Sequence, residues 1–160
     1  MLVSDPLVQK VIGCAIAVHR ELGPGLLEST YKRCLCWELS TNAITYESEV
    51  AVPLNYRGMS LDCGYRIDLV VAGWLVVEIK SVSAILPIHI AQALTYVRLF
   101  NSRQGLVINF NAPRLKDGLR SVIPRARAAG DSRVVGSLET SGIGSDVPGS
   151  TLAQEFTHEE

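Results

Sequence analysis

Asp68, Glu78 and Lys80 are the residues whose types and spacing suggest chemistry. They lie in GYRIDLVVAGWLVVEIK, residues 64–80, with the aspartate on one strand of a predicted hairpin and a Glu-x-Lys pair on the other. Two carboxylates and an ammonium at a sheet edge can hold a hard divalent cation and offset the charge that develops as a phosphodiester is hydrolysed. Strand side chains alternate between faces. Over 59–71 the odd positions Met59, Leu61, Cys63, Tyr65, Ile67, Leu69 and Val71 are apolar, so Asp68 turns away from the hydrophobic layer. Leu75, Val77 and Ile79 form the next apolar set and leave Glu78 and Lys80 together on the opposite face. A three-residue connection, Ala72-Gly73-Trp74, pairs Val71 with Leu75 and sets Asp68 directly across from Glu78; a two-residue one would oppose Asp68 to Val77 and dismantle the site. The competing reading is a cross-strand ion cluster in which Lys80 merely satisfies two carboxylates.

Two helical constellations add to the hairpin. In GLLESTY, Glu28 stands one turn before Tyr31 beside an apolar face, a costly place for a charge unless a cation awaits it; in a first helical turn it would also complement the helix dipole. In HIAQALTY, His89, Gln92 and Tyr96 share one helix face, where an amide and a phenol could hold a water or a phosphate oxygen. His89, like His19, equally suits a hydrogen-bonded structural imidazole.

The elements that must position these residues follow from caps and periodicity. Asp5 before Pro6 starts a helix whose seam Leu7, Val11, Ala15, Val18, Leu22 runs to Gly23-Pro24-Gly25. A second helix spans about 26–41, with Leu27, Tyr31, Cys34, Leu35 and Leu39 inward. Alternation over 44–56 predicts a strand, Asn55-Tyr56-Arg57-Gly58 a turn, then the two strands of the hairpin. Pro87 opens a third helix to about residue 101, 105–110 is a short buried strand, and 117–123 is either an edge strand or a short helix. Helix, helix, three strands, helix, strand is an α/β arrangement in which a meander crosses over through a helix to a further strand.

The chain has 160 residues, 48% of them hydrophobic, enough for one domain. Four cysteines, Cys14, Cys34, Cys36 and Cys63, lack CxxC spacing and predict buried reduced thiols. Residues 1–124 carry 12 Lys+Arg against 10 Asp+Glu, giving +2, and 125–160 carry 3 against 6, giving −3. Such weak basicity argues against tight nonspecific nucleic-acid binding and confines any phosphate grip to a local patch, for which Arg98, Arg103, Arg114, Lys116 and Arg120 are candidates. Thirteen of the last 36 residues are Gly, Ser or Thr, so a domain over 1–124 followed by a disordered tail over 125–160 is expected. With no long apolar run and no leader pattern, a soluble cytoplasmic protein is expected, without membrane contact.

The segments HRELGPGLLESTY, LDCGYRIDLVV, VVEIKSV, LPIHIAQALTYVRL and GLVINFNAPRLKDGLR together resemble the GxxExxY proteins of the PD-(D/E)XK nuclease superfamily, over about residues 5–123. The resemblance implies a restriction-endonuclease-like αβββαβ core, here with an additional N-terminal helix, its mixed sheet flanked by helices. It implies Asp68, Glu78 and the Ile79 carbonyl as ligands of Mg2+ or Mn2+, Lys80 as the catalytic lysine, and Glu28 as the helix glutamate and a candidate further ligand. Gln92 and Tyr96 match the QxxxY element of RecB-like nucleases. Ile90 stands where relatives are expected to carry an acidic residue. No cysteine follows Cys63, so an iron-sulfur cluster is not expected. The function implied is a metal-dependent nuclease acting on DNA, in repair, recombination or defence, as a homodimer or within a larger nuclease complex. The alternatives are a noncatalytic nucleic-acid or protein-binding module retaining the fold, and an RNA or partner-dependent nuclease.

Overall fold

The computed structural model describes residues 5–125; the expected tail lies, beyond Arg125, outside the described residues. The first helix, α1 (Pro6–Leu22), starts where Asp5 accepts the Leu7 N–H at 2.8 Å and ends where the Gly23 N–H reaches the His19 carbonyl. Helix α2 (Glu28–Thr41) begins later than expected, with Leu27 as an extended N-cap. That backbone carries Leu27 out of the inner row to 73% exposure, while Tyr31, Leu35 and Leu39 are buried as expected.

Between the helices, the Tyr31 hydroxyl donates to the Gly23 carbonyl at 2.5 Å and accepts the Leu26 N–H at 3.1 Å. Its ring stacks on Phe110 with centroids 4.6 Å apart. Gly23 and Gly25 take φ of 66° and 104°, which glycine reaches without a Cβ penalty. The loop and the start of α2 are thereby fixed over the sheet.

Both long predicted strands are interrupted. The first becomes β1 (Tyr46–Ala51) and β2 (Leu54–Tyr56), and the second β3 (Met59–Leu61) and β4 (Arg66–Val71). β2 and β3 pair only with each other, in a separate hairpin turned by Arg57 and Gly58 at φ of 50° and 85°. Pro53 ends the first run by lacking an N–H, and Gly64 at φ 68° breaks the second, where Asp62 accepts its N–H. Met59 and Tyr65, expected in an apolar layer, are therefore exposed.

The main sheet adds β5 (Leu75–Lys80), β6 (Gly105–Asn109) and β7 (Leu119–Val122), in the order β1-β4-β5-β6-β7. Helix α3 (Pro87–Leu99) makes the crossover to β6, which runs parallel to β5; the other pairs are antiparallel. The undecided stretch holds both structures, a 3-10 turn at Leu115–Gly118 and then β7. Leu69, Val71, Val77, Ile79 and Ile108 pack under α1 and α2, and Val70, Val76 and Val107 under α3. This is a mixed sheet flanked by helices, as expected of a restriction-endonuclease-like fold. All four cysteines are free, but only Cys14 is buried and Cys63 is exposed, because Cys63 falls in the break between β3 and β4. No helix among the described residues is long and apolar enough to cross a membrane.

Candidate active site

The β4–β5 connection has the three residues expected. Val71 pairs with Leu75, the Trp74 N–H reaches the Val71 carbonyl at 3.2 Å, and Ala72 and Gly73 take φ of 50° and 72°. The paired register runs from Val71↔Leu75 to Leu69↔Val77 and stops one step short of Asp68 and Glu78. The expected backbone pairing of these two residues is not formed. Instead Asp68 Oδ2 accepts the Ile79 N–H at 2.9 Å, so a carboxylate stands where a strand carbonyl would have been. The sheet forks at this point, and Asp68 bridges the fork.

Glu78 is 2% exposed. Its Oε2 lies 3.5 Å from Lys80 Nζ, as their shared strand face predicts, while Oε1 has no hydrogen-bond partner, alone among the buried side-chain polar atoms of the described residues. Burial, reinforced by the charge of Asp68 and partly offset by Lys80, pushes the Glu78 carboxyl up to about 8. A buried acid with an orphaned oxygen, next to a second carboxylate, suits an oxygen-seeking cation that would hold it ionised.

Glu28 forms no ion pair among the described residues. It is exposed, and its Oε1 accepts the Ser81 N–H at 3.0 Å, while the Ser81 hydroxyl donates to the Leu26 carbonyl at 2.5 Å. The beginning of α2 is thus stitched to the end of β5. Asn109, buried on the neighbouring strand, extends the stitch: its amide accepts the Val82 N–H and donates to the Val82 carbonyl, at 3.1 and 2.8 Å. Among the described residues no three His, Cys, Asp or Glu side chains converge as a ready metal cluster. The charge of Asp68 acts on the Glu78 carboxyl.

Leu26, Glu28, Lys32, Asp68 and Ser81 line an open cleft of about 500 Å³. A larger groove of about 600 Å³ between α1 and α2 has none of Asp68, Glu78 or Lys80 on its walls, so it is chemistry and not volume that marks the site.

Sequence reasoning missed Lys32 and Glu49. Lys32 Nζ bonds Asp68 Oδ1 at 3.1 Å and, more closely, Glu49 of β1. The one signal in the sequence is that Lys32 lies one turn after Glu28; the β1–β4 register, Ser48↔Leu69 and Val50↔Ile67, then brings Glu49 beside Asp68. Gln92 donates to the Tyr96 hydroxyl at 3.3 Å, and Tyr65 meets the Tyr96 ring edgewise, but no hydrogen bond among the described residues joins either partner to Asp68, Glu78 or Lys80. His89 accepts the Leu86 N–H and caps α3, and His19 Nε2 donates to the Ala112 carbonyl.

The basic candidates are unequal. Arg103, though exposed, pairs with Asp5 and lies over the Trp74 ring, Arg114 pairs with Asp117, and Arg120 donates to the Asp117 and Leu119 carbonyls. Arg98 and Lys116 are exposed and form no ion pair among the described residues.

Residues 5–122 match the sequence pattern of the PD-(D/E)XK nuclease superfamily. The chain belongs to that superfamily. The match spans every element from α1 to β7, including the forked hairpin and the crossover helix. No curated protein and no solved structure matches the chain. As a PD-(D/E)XK domain it is of a nuclease kind, and nucleic acid is the partner that kind implies.

Proposed function

We propose that this PD-(D/E)XK domain is a metal-dependent nuclease that hydrolyses phosphodiester bonds in DNA. The observation that carries the reading is Glu78: a buried carboxylate with one oxygen unpartnered, held between the charge of Asp68 and the ammonium of Lys80. A structural ion cluster would gain nothing from leaving that oxygen orphaned, since an unpaired buried polar atom costs about 1–3 kcal/mol.

Asp68, Glu78 and the Ile79 carbonyl would hold Mg2+ or Mn2+, the divalent metals that nucleases of this superfamily generally use, with Glu28 as an outer ligand or water-orienting group. Such an ion, when bound, supplies Lewis-acid activation of the scissile phosphate and of water. Lys80, three-dimensionally adjacent to Glu78, would orient the attacking water and offset negative charge on the phosphoryl oxygens. Asp68 would keep the fork open through its bond to the Ile79 amide. Gln92 and Tyr96, bonded to each other on α3, would steady the nucleic-acid backbone, and Arg98 and Lys116 would add charge to its path. The motif order resembles that of the GxxExxY proteins with the RecB-like QxxxY element, which supports a role in repair, recombination or defence, as a homodimer or within a larger nuclease complex.

The test is cleavage of single- and double-stranded DNA and RNA by wild type and Lys80→Ala, with Mg2+, Mn2+ or chelator. Metal-dependent DNA cleavage that Lys80→Ala abolishes, with an unchanged circular-dichroism spectrum, is expected. Equal cleavage by both proteins would dismiss the mechanism; exclusive cleavage of RNA would replace the substrate.

A further inference from the structure

Both oxygens of Asp68 are already engaged. Oδ2 is held by the Ile79 amide, and Ile79 is itself fixed in the parallel ladder against Ile108, so that bond is part of the sheet. Oδ1 is held only by the Lys32 ammonium, at the end of a flexible four-carbon stem. A divalent ion that takes Asp68 therefore meets a resident cation at the one oxygen that can be vacated. Lys32 also has a second carboxylate in hand, Glu49, which is exposed on the outer strand β1. Glu49 stands beside Asp68 in the β1–β4 register with φ of 55°, a left-handed conformation disfavoured for a residue with a Cβ. Strained backbone of this kind persists where the surroundings enforce it and clusters at working sites.

We propose that Lys32 is a built-in counter-cation of Asp68, displaced when a divalent metal binds, and that Glu49 is the carboxylate that retains it. Lys32 is a positioning residue: it holds Asp68 oriented while the site is metal-free, and its transfer to Glu49 alone sets how tightly the metal is held. The inference rests on the metal-site reading above and deepens it, because it assigns the control of metal affinity to a pair outside the Asp-Glu-x-Lys motif.

The experiment is Mn2+ titration calorimetry on wild type, Lys32→Met, Glu49→Gln, the double variant and Asp68→Asn, each first shown to be folded by thermal unfolding in chelator. Lys32→Met removes the competing ammonium and keeps the apolar stem, and should bind Mn2+ at least tenfold more tightly. Glu49→Gln leaves Lys32 with no second carboxylate and should bind severalfold more weakly. The double variant separates displacement from a diffuse charge effect. If Glu49 acts only by receiving Lys32, adding Glu49→Gln to Lys32→Met changes nothing, whereas independent charge effects would add. Equal or weaker binding by Lys32→Met, or simple additivity, overturns the proposal while Mn2+ binding lost in Asp68→Asn preserves the metal site. Absence of Mn2+ binding in both wild type and Lys32→Met overturns the site reading and this inference together.

Discussion

Replacing Glu78 by glutamine should stabilise the metal-free protein, although it deletes a residue of the proposed site. A carboxyl raised from 4.5 to about 8 keeps its proton in the folded state while the unfolded chain releases it. The unfolded state then binds fewer protons, so stability falls as pH rises between those two values, is undiminished below the lower one and levels off above the upper one. At about 1.4 kcal/mol per pH unit, the loss by pH 7 is about 3 kcal/mol. Glutamine has the same shape and no charge, and its amide can donate toward Asp68. Its other polar atoms stay buried, so a net gain of at least about 1 kcal/mol is expected. For a folded unit of this size that raises the melting temperature by about 3–6 °C. Thermal unfolding in chelator from pH 4 to 9 reads the effect: wild type should lose stability steadily through the neutral range, and Glu78→Gln should run flatter and lie above it at pH 8. Parallel curves, or a variant less stable at every pH, would refute the assignment of a buried carboxyl pushed up by its surroundings to this position.

Further variants separate the scaffold from the chemistry. Tyr31→Phe keeps the stack on Phe110 but removes the hydroxyl bonded to Gly23 and Leu26, and should cost about 1–2 kcal/mol in chemical denaturation; no measurable loss would show that the glycine loop is held by other contacts. Asn109→Ala removes both bonds to Val82 and the one to the Asn111 N–H, and should cost about 2–4 kcal/mol while protection of the Val82 amide in hydrogen exchange collapses. Asp68→Asn should weaken Mn2+ binding at least tenfold in calorimetry with the fold retained, since its amide can still accept the Ile79 N–H; unchanged affinity would remove Asp68 from the metal site.

Much of this architecture was legible because its signals are local. The Asp5-Pro6 cap, the Gly-Pro-Gly stop, the three-residue hairpin loop and the buried run at β6 each depend on residues a few positions apart. The Glu78–Lys80 neighbourhood followed from strand alternation alone. Alternation failed between 52 and 65, where a missing N–H at Pro53 and a left-handed Gly64 break strands whose hydrophobic pattern continues. The fork was illegible for another reason: a side chain substitutes for a backbone acceptor at Asp68, and no periodicity encodes that. Lys32 was overlooked because it lies on α2 and its partners, Glu49 and Asp68, come from two strands of the sheet, β1 and β4. The bond from the Ser81 amide to Glu28 was not legible, because it joins the start of α2 to the residue just past β5.

The stitching of α2, β5 and β6 through Ser81 and Asn109 also sets the order in which the motif and its frame are completed. Asp68, Glu78 and Lys80 lie close together in the chain, yet the segment that follows them is held by an asparagine 27 positions beyond Val82, reached only after α3 has crossed over and β6 has docked in parallel. Such long-range parallel pairing forms late, because loop closure precedes its reward. A nascent or truncated chain ending before Asn109 would carry the whole Asp-Glu-x-Lys motif and still lack the frame that holds its far end.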